Sequence, residues 1–211
     1  MDRIGDRIGT GNEGRNGSGH GPGTRRRAGL LALALALAAG GAGAKEKYDG
    51  YLCCNMRTDG SWISDSNYAE GGKRVIPAGT PATVTGYGRY RVRLQIDGTR
   101  QEIGNDYSRD LDNATFARRY VVTEDPRVAI TGWPAKVQEA VRQARVTPGM
   151  TREQVITSLG YPMSSENPDL ESDLFRYWLS SFAEFQLHFD AKGRLRDITA
   201  EPATRNRVWT P

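Results

Sequence analysis

The chain is poor in the groups that most catalytic and metal-binding proteins use. Among 211 residues there are two cysteines, Cys53 and Cys54, and two histidines, His20 and His188. Two adjacent thiolates cannot complete a tetrahedral zinc shell, and His188 is the single imidazole after residue 44, so no metal is expected. No glycine-rich phosphate loop is present. The glycines sit in turns and in the first 23 residues, and no cofactor is expected. Positive charge is scarce once the N-terminus is set aside. Residues 1–44 hold six of the 29 basic and three of the 25 acidic side chains, which leaves 23 and 22. A nearly neutral remainder without a basic, aromatic-studded stripe argues against nucleic acid as a partner.

What is present begins with an export pattern. Residues 1–23 carry too little apolar surface to fold. Arg25-Arg26-Arg27, the apolar run Leu30 to Ala39 and the small residues ending Ala42-Gly43-Ala44 then read as a secretory signal peptide cleaved after Ala44. Its apolar core falls short of the ~20 residues that span a bilayer. Localisation is therefore expected in the periplasm or at the outer-membrane periphery of a Gram-negative bacterium.

The stretch Thr147 to Pro162, TPGMTREQVITSLGYP, specifies a short helix at both ends. Thr151 and Gln154 have capping-box spacing, and Met150 and Val155 are placed as a hydrophobic staple. Gly160 and Pro162 stop the helix. Upstream, Trp133-Pro134 opens a helix with Val137, Ala140, Val141 and Ala144 on one face. Downstream, LFRYWLS (174–180) and EFQLHFD (184–190) are rich in strand formers. Phe185, Leu187 and Phe189 alternate with Gln186 and His188, the pattern of a half-buried strand. Ala191-Lys192-Gly193 turns into a last strand, Arg194 to Thr199.

In that order, the PGMTREQV helix, LGYP, the strand with Tyr177-Trp178 and the strand ending FDAKGRL resemble the SmpA/OmlA family of small outer-membrane assembly lipoproteins, the BamE-type fold. The resemblance covers roughly residues 133–200. It implies two helices on one face of a three-stranded antiparallel sheet, acting as a binding or scaffolding module in the envelope without chemistry of its own. Members of that family are lipidated on a cysteine. Here neither Cys53 nor Cys54 follows a small residue, so a soluble, unlipidated form is expected.

The middle of the chain reads differently. Val84, Val92, Leu94 and Ile96 alternate with polar residues, and turns fall at Ala78-Gly79, Gly86-Tyr87-Gly88 and Asp97-Gly98. Short strands at this spacing predict a small barrel or curled sheet, and Gly50 to Ile103 resembles a bacterial SH3-like domain. Trp62 falls on an expected strand, and Leu111 to Tyr120 on a short helix. The predicted class is therefore α+β, with a small all-β unit over 48–122, a linker over 123–132, the BamE-like αα-βββ module over 133–200 and a tail over 201–211.

Cys53 and Cys54 admit three readings. They can lie in a strand, YLCCNM, with side chains on opposite faces; they can form a vicinal disulfide; or they can bridge to another chain. His188, alone on a strand, reads as a pairing residue rather than a catalyst. Glu102, Asp106, Asp110 and Asp112 alternate with Arg100, Arg109, Arg118 and Arg119, which reads as a solvated ion-pair surface. The same carboxylates carry the alternative of a cell-wall-acting enzyme. A periplasmic inhibitor of a secreted hydrolase is a further alternative, by fold analogy only. The favoured reading assigns no catalytic residue. It expects an envelope protein, lipid or cell-wall component as partner, met through Tyr87, Arg89 and Tyr90 of the GYGRYR turn and through exposed Tyr177, Trp178 and Trp209. For Trp178 the competing reading is that it packs under the helices.

Overall fold

The computed structural model describes residues 46–69 and 72–211. The expected leader and its cleavage point after Ala44 lie outside them. The class is α+β, with an eight-stranded curled sheet and a three-stranded antiparallel sheet accompanied by helices. The described residues belong to one compact unit.

The larger sheet is built from β1 (Tyr48–Leu52), β2 (Met56–Thr58), β3 (Trp62–Ser64), β4 (Arg74–Ile76), β5 (Pro81–Tyr87), β6 (Arg91–Ile96), β7 (Thr99–Gly104) and β8 (Val121–Val122), in the order β4-β2-β3-β7-β6-β5-β1-β8. Its longest strands form the β5-β6-β7 meander, with a register shift between Val84 and Gly86 on β5. Asp97 and Gly98 both take positive φ, 47° and 73°, as the tight turn joining two right-twisted strands requires. Val92, Leu94 and Ile96 point inward and are 1–3% exposed, while Arg93 and Gln95 point out. Pairing is antiparallel except between β3 and β7, which run parallel with Trp62 opposite Glu102. Helix α1 (Asn113–Tyr120) follows β7, capped by Asp112, and packs Phe116, Ala117 and Tyr120 onto this sheet's core.

The stretch 123–132, read as a linker, holds a helical turn and a half, α2 (Pro126–Thr131). Asp125 accepts from the Arg127 N–H at its start, and proline occupies the first turn. Next come α3 (Ala135–Arg142) and α4 (Arg152–Leu159). Val137, Ala140 and Val141 are buried on α3 as expected, whereas Ala144 lies past its end at φ 52°. On α4 the Thr151–Gln154 capping box is complete, and Gly160 ends the helix at φ 86°. Strands β9 (Leu174–Ser180), β10 (Ala183–Phe189) and β11 (Leu195–Ala200) form the smaller sheet in the order β11-β10-β9. Met150, Val155, Leu159, Phe175, Phe185, Leu187 and Phe189 share one cluster with the α3 side chains. Each such side chain contributes about 1.5–3 kcal/mol on burial.

Two expectations need correction. Residues 201–211 are not a tail. They form α5 (Pro202–Val208), and Val208 and Trp209 join the core, tied by Val146 N–H to Val208 O at 2.8 Å and Thr210 N–H to Val146 O at 2.8 Å. A seven-residue helix with three charged or amide side chains has too few apolar positions to show a period. The cysteines, in turn, do not lie in a strand. The chain bends at Cys53-Cys54 between β1 and β2, and the two sulfurs are bonded to each other. Of the three readings the vicinal disulfide is the one observed.

The two cores are joined by buried amides. Asn55 donates to Val141 O (2.6 Å) and Ser158 O (3.0 Å), and accepts from Ala78 N–H (3.0 Å). Asn67 bridges Asn55 O and Leu159 O and accepts from Arg57 N–H. Each amide satisfies backbone groups that burial would otherwise leave unpaired.

Candidate functional site

Where the β1–β2 bend, β8, α2 and α4 meet, a trough of about 850 Å³ opens to one side. Its floor is apolar: Cys53 of the disulfide, Val122 of β8, Ile156 of α4 and the ring of Tyr161. Trp133 and Leu170 also line it, both half-buried against the C-terminal core. One wall is α2. No α2 residue is fully buried: Ile130 packs against the C-terminal core, while Val128 and Ala129 line the trough and Val128 is 76% exposed. A short helix that leaves such a surface uncovered next to an apolar floor has the makings of a binding site.

Tyr161 links the trough to the core of the larger sheet. Its ring meets Tyr120 edge-on at 5.8 Å, and Arg119 lies over it at 5.2 Å. Burial raises its hydroxyl pKa above the ordinary tyrosine value. Acidic groups mark the rim. Asp125 is taken up by Arg127, which holds its carboxyl below the usual range. Glu124, Glu153 and Glu171 are exposed. The basic side chain in the lining, Arg152, is held by the loop before β9. It donates to Glu171 O, Ser172 O and Asp173, and lies over Phe189 at 4.9 Å.

The side chains expected to form an interaction surface are not brought together. Tyr177 is 5% exposed and donates its hydroxyl to Gly160 O at 3.0 Å, and burial pushes its pKa well up. Trp209 is 7% exposed, with Arg205 over its ring. Both are corrections, each with its own reason. Alternation puts Tyr177 on the same face as Phe175 and Leu179, and α5 carries Trp209 into the core. Trp178 lies on the opposite face from those residues, half-buried, with Nε1 donating to Glu166. It does not pack under the helices. On the β5–β6 turn, Tyr87 donates to Glu46 O, and Tyr90 lies between Arg89 at 5.2 Å and Arg109 at 4.6 Å.

The acidic cluster is committed to structure. Asp106 pairs with Arg91 at 2.9 Å, Asp110 accepts from the Ser164 hydroxyl, Asp112 caps α1 and Glu102 pairs with Arg93. His188 meets Thr199 across β10 and β11 at 2.8 Å. No group of three or more metal-ligating side chains occurs among the described residues. None of their helices is long and apolar enough to cross a membrane.

Sequence reasoning missed Asp65, which is 1% exposed just after β3. One oxygen accepts from Tyr107 N–H at 2.8 Å, and the other has no partner. Burial raises its carboxyl to about 6, against the hydrogen bonds from the 106–108 backbone. In the sequence SDS looks like an ordinary polar turn, and nothing local announces burial. The trough was missed as well, because its floor and walls come from segments far apart in the chain. No family model matches the chain, and neither a curated protein nor a solved structure matches it.

Proposed function

We propose that this chain is an exported, non-catalytic binding module of the bacterial envelope, working unlipidated in the periplasm or at the periphery of the outer membrane. The observation that carries this reading is the apolar trough. It is an uncovered surface of binding size, while the charged clusters elsewhere are spent on caps and ion pairs. The Cys53–Cys54 bond supports an oxidising compartment and leaves no free thiol there for a lipid anchor. The signal pattern of residues 25–44 supports the same destination. Two helices sharing a core with a three-stranded antiparallel sheet support the BamE-type reading of 133–200, and the β5-β6-β7 meander supports the SH3-like reading of the middle strands. A role in outer-membrane assembly or integrity follows from that likeness, as a matter of fold analogy.

Fractionation of native envelopes with intact-mass measurement tests it. The expected species begins at Lys45, is lighter by two hydrogens than the reduced chain, and is recovered from the periplasm or loosely from the outer membrane. Recovery from the cytoplasm with the leader intact would overturn the proposal, and an acyl addition on either cysteine would overturn the unlipidated form.

A further inference from the structure

We propose that the trough receives a basic segment of a partner protein, which lays an apolar side chain against α2 and the Cys53–Tyr161 floor and sets its cations among the carboxylates of Glu124, Glu153 and Glu171. This rests on reading the chain as a binding module and names the chemistry of its partner.

The argument is charge complementarity around an apolar floor. Glu124, Glu153 and Glu171 are exposed, and their carboxylates make no ion pair or hydrogen bond among the described residues. They border the same trough from three segments: the stretch after β8, the first turn of α4 and the loop before β9. The basic side chain of the lining, Arg152, is committed to backbone carbonyls and Asp173; of the cations beside the trough, Arg127 is held by Asp125 and Arg119 lies over the Tyr161 ring. A like-signed rim repels a phospholipid surface, whose headgroups carry phosphate, and attracts Lys and Arg. Docking through strand addition is disfavoured, since β8 at the sheet edge is already satisfied. Val121 N–H bonds Ala117 O, and Val121 O accepts from the Tyr48 hydroxyl at 3.0 Å. Recognition is left to side chains, and Val128, 76% exposed, offers the first apolar contact.

The test uses the full mature chain and a short labelled peptide of Lys and Leu, with a Glu and Leu peptide of equal length as its counterpart. The wild type binds the Lys peptide in preference, and more weakly as salt rises. Combining Glu124→Lys, Glu153→Lys and Glu171→Lys, all at exposed positions, weakens that binding by about tenfold or more. Val128→Asp also weakens it although it adds a carboxylate, which separates apolar contact from charge. Equal binding of both peptides, unchanged binding by the triple variant, or preferential binding to anionic phospholipid vesicles would each overturn the assignment. Cross-linking in native envelopes keeps the two readings apart. If wild type and triple variant retrieve the same partner, the binding module stands and this groove assignment falls. If the wild type retrieves none, the module reading itself falls.

Discussion

The two cores of this protein are held by different kinds of instruction. Around α4 and β9–β11 the instructions are local: a capping box, a glycine stop, strict alternation and short hairpins. Around β1–β8 they are long-range. A parallel β3–β7 pair joins residues about forty positions apart, and β8 closes on β1 across some seventy. Loop closure of that kind costs entropy before any contact rewards it. Buried amides sit where distant segments meet: Asn55 and Asn67 between the two cores, and Gln101 between β7 and the Thr58–Gly60 turn. The lesson is that hydrophobic alternation builds each sheet, while amides that match specific backbone groups choose how the pieces register.

The harshest way to break this contrast is to put a charge into the locally specified core. Leu187→Asp places an unpaired carboxylate at a fully buried position, costing several kcal/mol against a typical stability of about 5–15. The expected result is loss of the cooperative urea transition, while Gln186→Asp on the outer face shifts the midpoint little. Hydrogen exchange on the same variant shows whether β5–β7 keep their protection when the other core opens.

A smaller break, at the joint, is Asn55→Ala. It strands Ser158 O and Ala78 N–H and leaves Val141 O only its bond from Ala144 N–H, for a loss of about 3 kcal/mol. Chemical denaturation should register it, with the opening first visible in exchange of Ala78.

The third change works through pH. Asp65 has a folded pKa of about 6 against 3.8 unfolded, so the native state binds the extra proton in between. Stability then falls as pH rises from about 4 to about 6 and is flat above, by at most about 3 kcal/mol. Asp112, Asp125, Asp190 and Asp197 act in the opposite sense at lower pH, because their folded values are depressed. Their stabilisation is lost as pH falls through those values. Asp65→Asn should remove the slope between pH 4 and 6 and raise the melting temperature at pH 7, and an unchanged slope would reject this assignment.

The mildest change is Thr151→Ala. Losing the hydroxyl that accepts from Gln154 N–H costs α4 about 1 kcal/mol, detectable as a small midpoint shift at constant m-value.

Legibility followed the range of each instruction and not the core it served. The ends of α4, the inward set Phe185, Leu187 and Phe189 and the inward set Val92, Leu94 and Ile96 could be read from spacing, because period and cap chemistry act over a few residues. The exposure of Tyr177 and Trp209 was misjudged. An aromatic side chain shows no sign, by itself, of which face of its strand meets the helices, and α5 had too short a pattern to announce that it docks. The vicinal disulfide was one of three open readings. The trough was illegible, since Cys53, Val122, Val128, Ile156 and Leu170 have no common period and acquire a shared surface only when four segments converge.

By itself the sequence determined the local grammar of this protein: which segments coil, which extend, where turns fall and which side chains seek an interior. Those outcomes depend on neighbours within a turn or a strand repeat. The tertiary structure alone decided that the two cores meet, that Asn55 and Asn67 are buried between them, that Asp65 is left half-satisfied and that an apolar trough with an acidic rim stays uncovered. Each of these depends on groups tens of residues apart, whose burial and charge environment exist only after the chain has folded.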